Sequence, residues 1–252
     1  MSATALDRSS PVRVTPPGPG EVRVWLAGLD PGVAVVDGLV AVLSADERER
    51  AARFHFRRDA MRWIVARATL REILGACLQL EPAAVAFTYG KKGKPALTGS
   101  PAPADLEFSV SHSSDLAAYA VTVGAPVGVD VERLRAVDQM ETIAERTFSR
   151  RECAVLRGLP GALRPTGFFN CWTRKEAYIK ALGEGLSYPL DRFSVSLAPD
   201  APARLESVDD APAHVENWTL EALPVPAGFA GAVVMGARPA RVVCERWSEA
   251  RR

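Results

Sequence analysis

The stretch Gly128-Val129-Asp130-Val131-Glu132 alternates apolar and acidic residues, and a strand with one core-facing side and one acidic side satisfies that pattern. Val129 and Val131 then point into a core, while Asp130 and Glu132 project together to the other face. About forty residues later comes Trp172-Thr173-Arg174-Lys175-Glu176-Ala177-Tyr178-Ile179-Lys180-Ala181-Leu182-Gly183-Glu184-Gly185. Here Trp172, Glu176 and Lys180 recur at every fourth residue and share one helical face, with Tyr178, Ala181 and Leu182 on an apolar side. Each motif alone has a plain reading: a solvated strand face, and a surface ion pair worth a few tenths of a kcal/mol. Trp172 on the same stripe implies partial burial, and buried charges need a cation, a phosphate or one another.

Magnesium suits such a set. It takes oxygen ligands and is typically held by a few carboxylates, water and substrate phosphates. No soft-ligand pattern competes. His55, His112 and His214 form no H-x-x-x-H pair, and Cys77, Cys153, Cys171 and Cys244 form no C-x-x-C, which argues against zinc. No phosphate-cradling glycine loop occurs in a strand-to-helix context, which argues against a nucleotide hydrolase.

The 252 residues suit one large domain or two of about 125. Apolar residues make up 48%, enough for a sizeable core, and the net charge of +1 predicts no general affinity for nucleic acid or membrane. No apolar run reaches the roughly 18 residues of a membrane span, and no secretory signal opens the chain. Unpaired cysteines fit a reducing cytoplasm. Residues 1–20, rich in Ser, Thr, Pro and Gly, are expected to be disordered. A strand is expected near 21–27, a capping box at Ser44–Glu47, a helix near 58–79 and strands near 85–89, 106–111 and 116–123. Gly124-Ala125-Pro126 reads as a junction. The second half is expected to carry a helix near 138–147, a second capping box at Ser149–Glu152, a helix from Pro165 to Gly183, and strands near 192–197, 217–222 and 229–235. The fold class is α+β. Trp63-x4-Ala68 echoes Trp172-x4-Ala177, hinting at a duplicated unit.

The two motifs, in this order and separation, resemble those of the 4′-phosphopantetheinyl transferases. That family shows G-(V/I)-D-(V/I)-E followed by W-x-x-K-E-A-x-x-K. Gly93-Lys94-Pro95 is similar to its G-K-P turn. Phe108-Ser109-Val110-Ser111-His112-Ser113 is similar to its F-N-x-S-H-S segment, with Ser109 in place of the common Asn. Phe148-Ser149-Arg150-Arg151-Glu152 resembles F-(S/T)-x-x-E, and Gly185-Leu186-Ser187-Tyr188-Pro189-Leu190 fits the tail of the second motif. The matches run from about residue 44 to 197.

The length resembles the two-domain, Sfp-type class. That resemblance implies a pseudo-dimer of two similar halves, each a small, mostly antiparallel sheet packed with helices, over 21–125 and 126–252. Coenzyme A would lie between them. The implied reaction moves phosphopantetheine to a serine of an apo acyl or peptidyl carrier protein of polyketide, peptide or fatty-acid synthesis. The implied metal ligands are Asp130, Glu132 and Glu176, for Mg2+ or a substituting Mn2+. Glu176, Lys180 and His112 would act in catalysis. Arg50, Arg62, Lys94, Ser111, His112 and Lys180 would contact coenzyme A. Eight arginines against five acids between 44 and 72 fit its phosphates, since guanidinium forks match them. The basic stretch Arg150, Arg151, Arg157 and Arg164 could meet an acidic carrier. The resemblance implies a cytoplasmic monomer. The rival reading is a non-catalytic module that binds coenzyme A or a carrier, which would be expected to have lost a metal ligand.

Overall fold

The computed structural model describes residues 14–30, 33–90, 93–98, 105–185, 188–209, 212–236 and 240–247. The first half contains β1 (Glu21–Gly28), the helices α1 (Val33–Val40), α2 (Ala45–Ala52) and α3 (Arg57–Leu78), then β2 (Ala86–Tyr89), β3 (Pro95–Thr98), β4 (Leu106–Ser113) and β5 (Leu116–Val123). The second half follows with β6 (Val127–Arg133), α4 (Met140–Thr147), α5 (Arg150–Gly158), α6 (Arg164–Leu182), β7 (Phe193–Val195), β8 (Leu205–Val208), β9 (Thr219–Ala222) and β10 (Phe229–Met235). A last strand, β11 (Arg241–Arg246), follows.

The two halves repeat one plan. In the first, β5 lies between β1 and β4; in the second, β10 lies between β6 and β9; all four pairings are antiparallel. Each long helix is followed by its own two-stranded ribbon, β2–β3 and β7–β8. This is the α+β pseudo-dimer expected from the resemblance.

Strand parity decides which core each side chain joins. On β1, Val22, Val24 and Leu26 join Val127, Val129 and Val131 of β6 in a cluster between the halves. Trp25 and Ala27, on the opposite face of β1, join the first half's own core with Ile73 and Leu74 of α3. The second core forms around Phe168, Phe169 and Tyr178 of α6.

Two expectations are corrected. β11, assigned to the second half by its place in the chain, pairs in parallel with β1, and Trp247 enters the first core. Its edge position follows from the free side of β1, which β11 covers. Within the segment expected to be disordered, residues 1–13 lie outside the described residues, but Val14 packs against the first core. The tail residues Leu186 and Ser187 also lie outside the described residues. Among the described residues no helix is long and apolar enough to cross a membrane.

Both capping boxes form, and both do more than cap. Glu47 of the first is buried and paired with Arg67 and Arg71 of α3. Glu152 of the second is buried and paired with Lys175 of α6. Each half therefore ties its second short helix to its long helix through a buried carboxylate, a repeat more specific than the tryptophan echo.

Candidate active site

The site begins with a missing side chain. A Cβ on Gly128 would lie 1.9 Å from the carbonyl oxygen of Ala177 and 2.6 Å from the nitrogen of Ala181. Glycine thus lets α6 press directly on β6. We expect Gly128→Ala to lower the unfolding free energy by about 2 kcal/mol, in the range for overpacking a close contact. A urea midpoint equal to wild type would refute this account of the approach.

That approach sets the acidic face of β6 against the Trp172–Glu176–Lys180 stripe. All three stripe residues are partly buried, as the tryptophan implied. Lys180 Nζ donates to Asp130 Oδ1 at 2.8 Å and to the Val129 carbonyl at 3.1 Å. Asp130 itself is only 4% exposed. Its Oδ2 and the Oε1 of Glu176 are buried without a hydrogen-bond partner among the described residues. Two orphaned carboxylate oxygens are costly to leave unmatched, and they mark where a ligand belongs.

The other wall comes from β4, which runs beside β6 in the same direction. Here serine hydroxyls replace a backbone ladder. Ser109 Oγ accepts the Val129 N–H at 3.1 Å, and Ser113 Oγ accepts the Arg133 N–H at 3.1 Å. Ser111 Oγ donates to Asp130 Oδ1 and Ser113 Oγ to Glu132 Oε2, both at 2.6 Å. The alternate serines 109, 111 and 113 were a readable period-two signal, but what they face could not be read. The single hydroxyl proton of Ser111 goes to Asp130.

Burial, reinforced by the charge of Asp130, pushes the Glu176 carboxyl up to about 7, with Lys180 opposing. Glu132 is also raised, by burial first, against the Ser113 hydrogen bond, with Asp130 adding to the rise. His112 is exposed at its surface, yet the protein packed around it and the charge of Lys180 hold its imidazole below the usual value. Lys94 is lowered by burial, with Glu107 opposing.

Because folding raises the pKa of Glu176, the folded state binds its proton more tightly than the unfolded chain. The penalty is absent below the ordinary value of 4.5 and fully present above about 7. In chelator at pH 8, Glu176→Gln is therefore expected to stabilise the protein by on the order of 2 kcal/mol, and to change nothing near pH 4. Denaturant melts at the two pH values measure this, and equal stability at pH 8 would show that Glu176 is not desolvated.

Glu176, Lys180 and Lys94 open onto a cleft of about 570 Å³ between the halves, whereas Asp130, Glu132, Ser111 and His112 are not among its lining residues. Lys94, Phe108 and Val110 line it from the first half, and Glu176, Ile179 and Lys180 from the second. Lys94 Nζ spans the cleft to the Lys180 carbonyl at 2.9 Å, near the end of α6. There Gly183 takes the left-handed conformation at φ 74 that ends the helix. Arg50 and Arg62 are not among the lining residues. Arg62 forks onto Asp30 at 2.6 and 2.7 Å, and Arg50 lies over the Trp63 ring at 5.8 Å.

Among the described residues, no group of three His, Cys, Asp or Glu side chains is arranged to hold a metal ion by itself. The orphaned oxygens of Asp130 and Glu176 nevertheless fit a hard cation shared with a substrate phosphate, the usual way Mg2+ is bound.

Comparison with known proteins agrees with this arrangement. A family model described as the 4′-phosphopantetheinyl transferase superfamily matches residues 126–234, and one described as the N-terminal part of 4′-phosphopantetheinyl transferase matches residues 30–124. The 4′-phosphopantetheinyl transferase HetI of Nostoc sp. is 40% identical over 79% of this chain and 81% of its own. A 4′-phosphopantetheinyl transferase of Bacillus subtilis is 34% identical over 69% of this chain and 75% of its own. The transferase Sfp of Bacillus subtilis strain 168 is 30% identical over 72% and 79% respectively. With matches to both halves and the two acidic motifs brought together where α6 packs on β6, this chain belongs to the 4′-phosphopantetheinyl transferase superfamily, in its Sfp-type class.

Proposed function

We propose that the chain transfers the 4′-phosphopantetheine group of coenzyme A to a serine of an apo acyl or peptidyl carrier protein, in a Mg2+-dependent reaction. The observation that carries this is the pair of orphaned carboxylate oxygens beside Lys180 at the cleft between the halves. Asp130, Glu132 and Glu176 would hold the cation. When bound, it would withdraw charge from the pyrophosphate and favour an in-line displacement.

The chain's own residues account for the rest. The carrier serine oxygen bonds to the phosphorus bearing the pantetheine arm, and the bond from that phosphorus to adenosine 3′,5′-bisphosphate breaks. Glu176, which lines the cleft, suits the task of taking the serine proton, directly or through a water on the cation. Lys180 lies beside Asp130 at the cleft and can stabilise charge gathering on the leaving phosphate. His112, held below its usual pKa, serves there as a neutral donor. Arg62 reaches a coenzyme A phosphate by exchanging its exposed partner Asp30, an inexpensive swap because such pairs contribute little. Arg50, which lies from α2 over Trp63 of α3, is the second arginine for that phosphate.

A carrier would meet arginines already engaged. Arg151 pairs with Glu206, Arg157 with Glu145 and Arg164 with Glu141. These exposed pairs are weak enough for an acidic carrier to displace them. Both walls of the cleft come from one chain, so a monomer suffices, acting in the cytoplasm and needing neither nucleic acid nor membrane.

Mass spectrometry of an apo carrier incubated with the chain, coenzyme A and Mg2+ tests the proposal. A gain of one phosphopantetheine, roughly 340 Da, lost with chelator, is the expected result. No gain on acyl or peptidyl carriers, with coenzyme A still bound, would replace it by a binding module.

A further inference from the structure

We propose that Ser113 is a positioning residue that, from β4 of the first half, fixes the orientation of Glu132 on β6 of the second. This rests on the reading of Asp130, Glu132 and Glu176 as cation ligands. Ser113 Oγ accepts the N–H of Arg133 at 3.1 Å and donates to Glu132 Oε2 at 2.6 Å. A hydroxyl has one proton and two lone pairs, so accepting the amide leaves that proton for the carboxylate. The amide and the carboxylate belong to consecutive residues of one strand. A single serine therefore bridges the backbone and a side chain of β6 and removes rotamer freedom that a glutamate otherwise keeps. The short distance is that of a hydrogen bond to a charged acceptor.

Asp130 is held differently, by Ser111 and by the Lys180 ammonium. Among the described residues, Ser113 supplies the hydrogen bond to the Glu132 carboxylate. Groups that orient a metal's ligands commonly change metal affinity by about 10–100-fold when removed. Ser109 is the internal contrast. It sits on the same seam and accepts the Val129 N–H, but among the described residues it makes no hydrogen bond to a carboxylate.

The test compares Ser113→Ala, Ser113→Thr and Ser109→Ala with wild type in the full chain. Two readouts are followed across a Mg2+ titration: thermal melting with coenzyme A present, and the rate of carrier modification. Ser113→Ala is expected to shift the Mg2+ midpoint of both readouts upward by about 10–100-fold. Ser113→Thr should return the midpoint toward wild type. Ser109→Ala should lower the melting temperature equally with and without Mg2+ and leave the midpoint in place. A wild-type midpoint in Ser113→Ala, or an equal shift in Ser109→Ala, would overturn the proposal. A wild-type chain with no Mg2+ response in melting would overturn the cation reading itself, and it is seen before any substitution is made.

Discussion

Asp130→Ala is expected to lower the rate of carrier modification by about a thousandfold or more while leaving the fold intact. Asp130 is the carboxylate on which the site converges. Ser111 and Lys180 bind its Oδ1, and its Oδ2 is buried and unmatched. A cation's contribution to the transition state is several kcal/mol, and each 1.4 kcal/mol is about tenfold in rate. Asp130→Asn keeps the shape and the hydrogen-bond acceptor but not the charge, and it should lose nearly as much. Melting in chelator should fall only modestly: Lys180 and Ser111 lose a partner, but Lys180 keeps the Val129 carbonyl and partial exposure, and the penalty that Asp130 places on Glu176 is relieved. Rates for both variants within tenfold of wild type would remove Asp130 from the proposed mechanism.

Lys175→Met should show the opposite signature: a large loss of stability that does not depend on coenzyme A or Mg2+. Lys175 and Glu152 are each 1% exposed. The ammonium donates to Glu152 Oε2 at 2.8 Å and to the carbonyls of Leu190 and Phe193 at 2.7 and 2.6 Å. Glu152 in turn accepts the N–H of Ser149 and of Val195, both at 2.7 Å. Removing one member strands the other's charge, which typically costs about 3–5 kcal/mol. The double variant Lys175→Met/Glu152→Gln should recover a good part of that, since no buried charge remains. Urea denaturation of the single and double variants measures this. A single variant within about 1 kcal/mol of wild type would mean that the buried pair is not the tie it resembles.

Lys175 and Glu176 show how much of the site could be read in advance. Both stand in one motif, and consecutive helical residues point about 100° apart. The period of four placed Glu176 with Trp172 and Lys180 on one stripe, and all three are there. The same motif gave Lys175 no partner, because Glu152 is distant in the chain and its capping box already explained it. The three serines of β4 were legible as alternating small polar residues, but what they bond depends on which strand lies alongside. The placement of β11 was out of reach for a similar reason: no strand was expected at Arg241–Arg246, and nothing local in it names β1 as its neighbour.

Local chemistry determined the alternating faces of β6, the stripe of α6, both capping boxes and the long helices. Each depends only on backbone geometry and on residues a few positions apart. The tertiary structure alone decided that β4 lies against β6, that Gly128 admits α6 to contact, and that the acidic face of β6 meets both of them. The face of β6 opposite its inter-half valines carries Asp130 and Glu132, whereas the matching face of β1 carries Trp25 and Ala27 and is closed within the first core. Hydrogen bonds between strands distant in the chain, and the desolvation that raises Glu176, arise only once packing has excluded water. No pattern of neighbours along the chain encodes them.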